Sequence, residues 1–267
     1  MHPRLSIDAM CTFKWSFEQD LALWRDLGVR HAGLLGNKLA DAPEVKMARL
    51  DAAGIRASTI IAASFNLSDP ASWEATVAEH KAVIDLAAEH GGHSIYFTPG
   101  RTTDAPWRDV LKIFAAAVAP TVAYAKTRGV LAAIEPSLRT SVSFVNTLRD
   151  AIDVAELTGI GLIADFGNMW MERDFREVLA AAMPHIALMQ IGDVVVGAPG
   201  RPPPGGRAHI GEGELPLRRM MQDVLDAGYK GVFDLEVVGP QIGMDTDEAA
   251  VRRGAAAASA LLTELGI

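Results

Sequence analysis

Four short apolar runs in the second half of the chain each close on an oxygen-bearing side chain: Gly129 to Glu135, Ile160 to Asp165, His185 to Gln190 and Gly231 to Glu236. Each run reads as a buried strand, so each carries a polar group at the tip of an apolar segment. A buried carboxylate without a partner costs several kcal/mol and must find a cation, a proton or a shifted pKa. If Glu135, Asp165 and Glu236 meet at about 4 Å, each pair repels by about 4 kcal/mol at an effective dielectric near 20. Protons or a divalent cation must then accompany them. Three anionic oxygens and the amide oxygen of Gln190 form a hard ligand set, which suits Mn²⁺ or Mg²⁺ better than Zn²⁺. Taken singly, a strand-end Asp or Glu is as readily a helix N-cap or a solvated turn residue. Recurrence in four consecutive units is what favours one shared site.

The chemistry open to such a site is proton transfer next to a carbonyl. A divalent ion that chelates a carbonyl and the neighbouring hydroxyl stabilises an enediolate and acidifies the C–H between them. Glu135 or Glu236 can then move the proton. Return of the proton to the adjacent carbon or to the opposite face gives isomerisation or epimerisation. Departure of a β-leaving group gives elimination.

The elements that must position these residues follow from periodicity and capping. Strands are expected at Leu5 to Met10, Val29 to Leu35, Ile55 to Ala63 and His93 to Phe97, followed by the four runs above. Helices are expected at Ser16 to Leu27, Ala42 to Ala53, Ser72 to Glu89, Ala105 to Arg128, Phe144 to Leu157, Phe175 to Ala182, Pro216 to Ala227 and Asp247 to Leu265. Ser16 is a good N-cap, Gly54 a good helix terminator, and Pro120 a kink or break inside its helix. The longest loop, Gly192 to Pro216, is rich in Gly and Pro, and loops of that length tend to be functional. Eight strand-then-helix units with short turns predict a single (β/α)8 TIM barrel over residues 1–267. The site then lies at the C-terminal ends of the strands, where Glu135, Asp165, Gln190 and Glu236 share one mouth. An open doubly wound sheet is the alternative, but no glycine-rich dinucleotide fingerprint follows the first strand. Gly211-Glu212-Gly213 lies in the long loop and is no cofactor signature.

Composition bounds the partners. The chain has 267 residues, 49% hydrophobic and 22% charged, with a net charge of −8, so a large core is feasible and a phosphate-backbone binder is disfavoured. Its single cysteine, Cys11, reads as a small buried hydrophobe and allows no internal disulfide. Met1 to Phe13 has no signal-like apolar run, and no stretch has the roughly 18 apolar residues of a membrane span, so a soluble cytoplasmic protein is expected. The apolar face from Ala255 to Leu262 reads equally as core or as a homo-oligomer interface.

Ile134-Glu135-Pro136, Asp165-Phe166-Gly167-Asn168, Met189-Gln190-Ile191-Gly192-Asp193, Arg207 to Leu215, Gly228 to Gly231 and Leu235-Glu236 resemble the sugar phosphate isomerase/epimerase family, whose members have the xylose-isomerase-like barrel. The resemblance is good from Gly129 to Glu236 and thin before it. It implies that Glu135, Asp165, Gln190 and Glu236 hold one divalent metal, that Glu135 and Glu236 double as acid and base, and that Arg207 contacts a small carbohydrate-like substrate. Gln190 stands where relatives commonly have His, as in hydroxypyruvate-isomerase-like members. Asn168 stands where many epimerases have a substrate-binding His, and Ala62-Ala63-Ser64, at the third strand end, has no His. These departures speak against ketohexose epimerisation and against the endonuclease branch of the fold, leaving an isomerase, an epimerase or a lyase.

The remaining candidates are weaker. Asp193 is expected to bind a substrate hydroxyl or to orient a ligand. His209 reads as a solvated loop residue, and His31, His93 and His185 as structural. Trp170 and Met169 wall the pocket or pack in the core, Arg139 reaches the mouth from the loop after Glu135, and Asp234 lies one layer below Glu236.

Overall fold

A computed structural model describes residues 1–196, 206–238 and 247–267. Strands β1 (Leu5–Asp8), β2 (His31–Leu35), β3 (Arg56–Ile61), β4 (Ser94–Phe97), β5 (Leu131–Ile134), β6 (Gly161–Asp165) and β7 (Ile186–Ile191) run in sequence order around a barrel. A short antiparallel hairpin, β8 (Asp193–Val195) with β9 (Gly206–Ala208), intervenes before β10 (Phe233–Leu235), which closes the barrel between β7 and β1. All barrel pairings are parallel, so every strand presents its C-terminal end at the same rim. This is the TIM barrel expected from the alternation of elements.

The helices form where apolar spacing and caps coincide. Helix α1 (Phe17–Leu27) opens on a capping box in which the Ser16 hydroxyl accepts from the Gln19 amide and the Gln19 side chain accepts from the Ser16 amide. It ends at Gly28, whose φ of 66° is the left-handed conformation that glycine adopts at little cost. Around the barrel follow α2 (Gly36–Leu39), α3 (Pro43–Ala52), α4 (Trp73–Glu89), α5 (Trp107–Arg128), α6 (Leu148–Thr158), α7 (Phe166–Met169), α8 (Phe175–Ala182), α9 (Leu217–Asp226) and α10 (Asp247–Glu264). Ala255, Ala258 and Leu262 on α10 are buried within the single chain, which assigns that part of its face to the core.

Three details differ from the sequence expectation. Helix α5 runs unbroken through Pro120, because Pro120 and Ala116 both face solvent, where water satisfies the carbonyl that proline leaves free. By length and composition α5 could cross a membrane, yet its apolar stripe of Val110, Phe114, Ala117 and Val118 is buried in the fold. Helix α6 starts at Leu148 rather than Phe144, since Thr147 caps it through the Asp150 amide and Phe144 instead packs on Trp107 and Phe114. Part of the long loop is the β8–β9 hairpin. Arg201-Pro202-Pro203-Pro204, in the same loop, lies outside the described residues.

Two apolar clusters fill the molecule. The larger lies between the strands and the helices, and a smaller one of Tyr96, Ala133, Ile163, Ala187 and Leu188 packs beneath the mouth.

Candidate active site

Glu135 and Glu236 each stand one residue past their strands, and each is tied to the neighbouring strand through its backbone amide. Glu135 N donates to Phe97 O and Glu236 N to Ile191 O, both at 3.1 Å. Asp165 ends β6, and Gln190 on β7 is in register with Asp165 on one side and Asp234 on the other. The four expected side chains therefore come together at one rim, all buried, with Glu135 and Glu236 the most accessible at 7% exposure each.

Their electrostatics show a shortage of positive charge. Burial raises the Glu135 carboxyl well above the usual carboxylate range, and the nearby charges of Glu236 and Asp165 raise it further. Burial, with Asp165 next, pushes Glu236 up to about 8. Arg207 and Arg139 pull both carboxyls the other way, so Arg139 also belongs to the field of the mouth.

Of the three acids Glu135, Asp165 and Glu236, Asp165 has the fullest set of partners. Its Oδ1 accepts from Gly167 N at 2.9 Å and from Arg207 Nη1 at 3.2 Å. Its Oδ2 accepts from Asn168 Nδ2 at 3.0 Å and from Arg207 Nη2. Burial opposes the Arg207 charge, but Asp165, Glu236 and Glu135 more than offset that and raise its pKa. The guanidinium occupies a slot made by glycines, since a Cβ on Gly167 or on Gly192 would collide with Arg207 Nη1. Arg207 reaches the slot from β9, opposite Val194 of β8 in the hairpin. Asn168 Nδ2 also donates to Glu135 Oε1 at 3.0 Å, so this amide bridges two acids of the mouth.

The donor set fits a divalent cation in charge and atom type. Gln190 Oε1 and Glu236 Oε2 are buried acceptors with no hydrogen-bond donor, the condition a cation relieves. Ionising Glu135 and Glu236 beside Asp165 would put more negative charge in the mouth than Arg207 can balance. Among the described residues no three acidic, His or Cys side chains stand gathered around one point as they are placed. With Asp165 engaged by Arg207, a cation seated on all four residues requires Arg207 to withdraw.

Asp193, expected to bind a substrate hydroxyl or to orient a ligand, is held by backbone amides. Its Oδ1 accepts from Val194 N and Leu215 N at 2.8 and 3.2 Å, and its Oδ2 from Gly211 N and Gly213 N at 2.9 and 3.1 Å. The carboxylate is 1% exposed and saturated by backbone amides, so it staples the loop that follows β9. The Gly-x-Gly of that loop serves this staple, as a Cβ on Gly213 would strike Asp193 Oδ1. His209, expected to be solvated, is buried.

Two groups beneath the mouth escaped the sequence reading. Asp8 ends β1 and meets Asp234 at the barrel axis, over Gly33, where a Cβ would collide with Asp8 Oδ2. No N–H or hydroxyl donor satisfies Asp8 Oδ2 or either Asp234 oxygen. Burial and then the charge of Asp234 raise Asp8 well above the carboxylate range, and burial raises Asp234 to about 6, so burial and mutual repulsion disfavour two full charges there. Tyr96 on β4 accepts from Gln190 Nε2 at 3.2 Å. Its alternation with Ser94 in β4 was the signal that it faces inward. At the third strand end, His80 on α4 donates through Nε2 to Ala63 O at 2.7 Å, faces the Thr121 hydroxyl through Nδ1 at 3.0 Å, and stacks on Phe97. Burial lowers its pKa, and its contacts make it structural.

A closed barrel of eight parallel strands with helices around it defines a TIM-barrel protein. The chain belongs to the xylose isomerase-like TIM barrel family, whose sequence model matches residues 21–261. No curated protein matches the sequence. Among solved structures the fold is similar to that of IolI protein crystallised with a zinc atom, with a TM-score of 0.85, 18% identity, and 98% of this chain and 99% of that one covered. It is similar to D-psicose 3-epimerase from Clostridium cellulolyticum H10, with a TM-score of 0.77, 16% identity, and 98% and 99% covered. It is also similar to AsbF of Bacillus anthracis, described as a probable 3-DHS dehydratase, with a TM-score of 0.72, 14% identity, and 93% and 97% covered. At these identities the likeness speaks for the fold.

Proposed function

We propose that this chain is a divalent-metal-dependent isomerase or epimerase of a small sugar-like hydroxy-carbonyl compound. Glu135, Asp165, Gln190 and Glu236 would hold the ion, with Mn²⁺ or Mg²⁺ favoured by the oxygen-only donor set. The observation that carries the reading is the mutual influence of three carboxylates from β5, β6 and β10 in one buried mouth, beside two acceptors that have no donor. When bound, such an ion would supply Lewis acidity that weakens a C–H next to a carbonyl.

The chain's own groups then do the proton work. Glu236 and Glu135 lie in one electrostatic field at the mouth, so one would take the proton from the substrate carbon and the other would serve the opposite step. Asn168 holds Glu135 Oε1, which limits its carboxylate to one orientation. Arg207, once off Asp165, offers a paired N–H fork to a substrate oxygen.

A lyase or dehydratase at the same site, acting on a keto-sugar, a keto-glycoside or a dehydroshikimate-like ring, is the second reading. It is favoured by the third strand end, where no imidazole faces the mouth and His80 is committed to Ala63 and Thr121. Incubation with candidate ketoses, keto-acids and keto-glycosides in deuterated water with Mn²⁺ tests both. Deuterium entering one carbon of an intact product supports the isomerase or epimerase, and loss of water or an alcohol supports the lyase. No exchange and no product across the panel, with Mn²⁺ bound, would count against both.

A further inference from the structure

Gln190 is fully buried, so its side-chain amide has no water to turn to and its orientation must be settled by neighbours. The nitrogen donates to the hydroxyl of Tyr96 at 3.2 Å, and the oxygen has no donor. Tyr96 belongs to β4 and Gln190 to β7, with β5 and β6 between them around the barrel, so the contact spans the interior. Space for the ring comes from β5, where the residue in register with Tyr96 is Ala133, a small member of the same interior cluster. On the other side Gln190 is in register with Asp234 of β10. A neighbouring carboxylate disfavours the oxygen end of an amide on that side. A flipped amide would set its oxygen against that carboxylate and its nitrogen toward the mouth.

We propose that Tyr96 is a positioning residue for Gln190: its hydroxyl holds the amide nitrogen inside the barrel and thereby aims Oε1 into the mouth as the neutral ligand of the divalent ion. The proposal rests on the metal-dependent reading of the site. No feature of the sequence pattern around Glu135, Asp165 or Glu236 requires a tyrosine on β4. The requirement comes from glutamine in the third ligand position, because an amide, unlike an imidazole, presents a donor or an acceptor depending on which way it is turned.

The test is Mn²⁺ affinity, measured by calorimetry on the full chain without substrate, for wild type, Tyr96→Phe, Gln190→Ala and the double variant. Loss of a group that orients a metal ligand typically costs about 10- to 100-fold in affinity, so Tyr96→Phe is expected to weaken Mn²⁺ binding by about tenfold. In the Gln190→Ala background the same change should have no further effect, since the two residues act as one unit. Hydrogen exchange at the Gln190 side-chain amide, followed by NMR without metal, should be slow in wild type and faster in Tyr96→Phe. An unchanged Mn²⁺ affinity in Tyr96→Phe, or equal weakening with and without Gln190, would overturn the proposal while leaving the metal site intact. A wild type that binds no Mn²⁺ would instead overturn the metal-dependent reading, and the ligand role of Gln190 with it.

Discussion

Arg207 grips both oxygens of Asp165 from a slot bounded by Gly167 and Gly192, so a cation supplied by the chain already sits where the resemblance would place part of a metal site. A two-pronged guanidinium on a buried carboxylate is among the stronger side-chain pairings, and a divalent ion must compete with it for Asp165. Arg207→Gln is therefore expected to tighten Mn²⁺ binding by about tenfold, the equivalent of one charge-assisted hydrogen bond of roughly 1.5 kcal/mol. The same variant should lose about tenfold or more in kcat/KM if the freed guanidinium receives substrate. Calorimetric titration with Mn²⁺ and steady-state kinetics check the two effects separately. Unchanged or weaker Mn²⁺ affinity would show that the arginine does not compete.

Glu236 combines a carboxyl raised to about 8 with an Oε2 that has no donor. Glu236→Gln removes a ligand charge and a proton carrier while keeping the shape of the side chain. Turnover should fall by at least about 10²-fold, the ordinary worth of general acid–base catalysis. The metal-free protein should be no less stable at pH 8, and more stable above it, since a desolvated negative charge is gone. Retention of more than about a tenth of the wild-type kcat would remove Glu236 from the proton-transfer role.

The acids of the mouth were legible because each follows an apolar run long enough to be a buried strand. Glu135, Asp165, Gln190 and Glu236 are all reached by that one pattern, and the closed barrel brings the four to a common rim. Asp8 was not legible, because β1 stops at Asp8 rather than at Met10 and the turn after it is a single helical turn capped by the Asp8 carboxylate. The state of Arg207 was hidden too. Its partner is chosen by a hairpin whose strands, Asp193–Val195 and Gly206–Ala208, are three residues each and too short to show alternation. The slot that receives it depends on Gly167 and Gly192, whose missing side chains name no partner in the sequence. The partners of Asp193 were hidden for the same reason, since four backbone amides leave no trace in side-chain types.

Proton linkage in the mouth follows from the raised carboxyls. A carboxyl whose folded pKa lies above its unfolded value holds a proton that the unfolded chain has already lost, so the stability it confers is complete below the unfolded pKa and declines as pH rises through the folded one. For Glu236 that window runs from 4.5 to about 8, and Glu135 is shifted in the same direction. The metal-free protein should lose stability across this range, as read by denaturant titration at several pH values. Mn²⁺ requires the ionised carboxylates, so its affinity should rise over the same interval. Calorimetry in buffers of different ionisation enthalpy should register proton release on binding below pH 8. An affinity independent of pH would mean that Glu236 is not a ligand or is already ionised in the fold.

Asp193 offers the sharpest separation between a structural and a substrate role. Asp193→Ala strands the amides of Val194, Gly211, Gly213 and Leu215, all inside the fold or at its edge. Buried donors left without an acceptor cost about 1–3 kcal/mol each when water cannot replace the partner, so a total loss of about 3 kcal/mol or more is expected. For a domain of this size that corresponds to a fall in Tm of roughly 6–12 °C. Asp193→Asn keeps one carbonyl acceptor and should fall between wild type and alanine. Arg207 is carried on the strand that pairs with β8, so a loosened staple should also raise KM, but only together with the loss of stability. A variant that melts like wild type yet shows a large rise in KM would return Asp193 to the substrate.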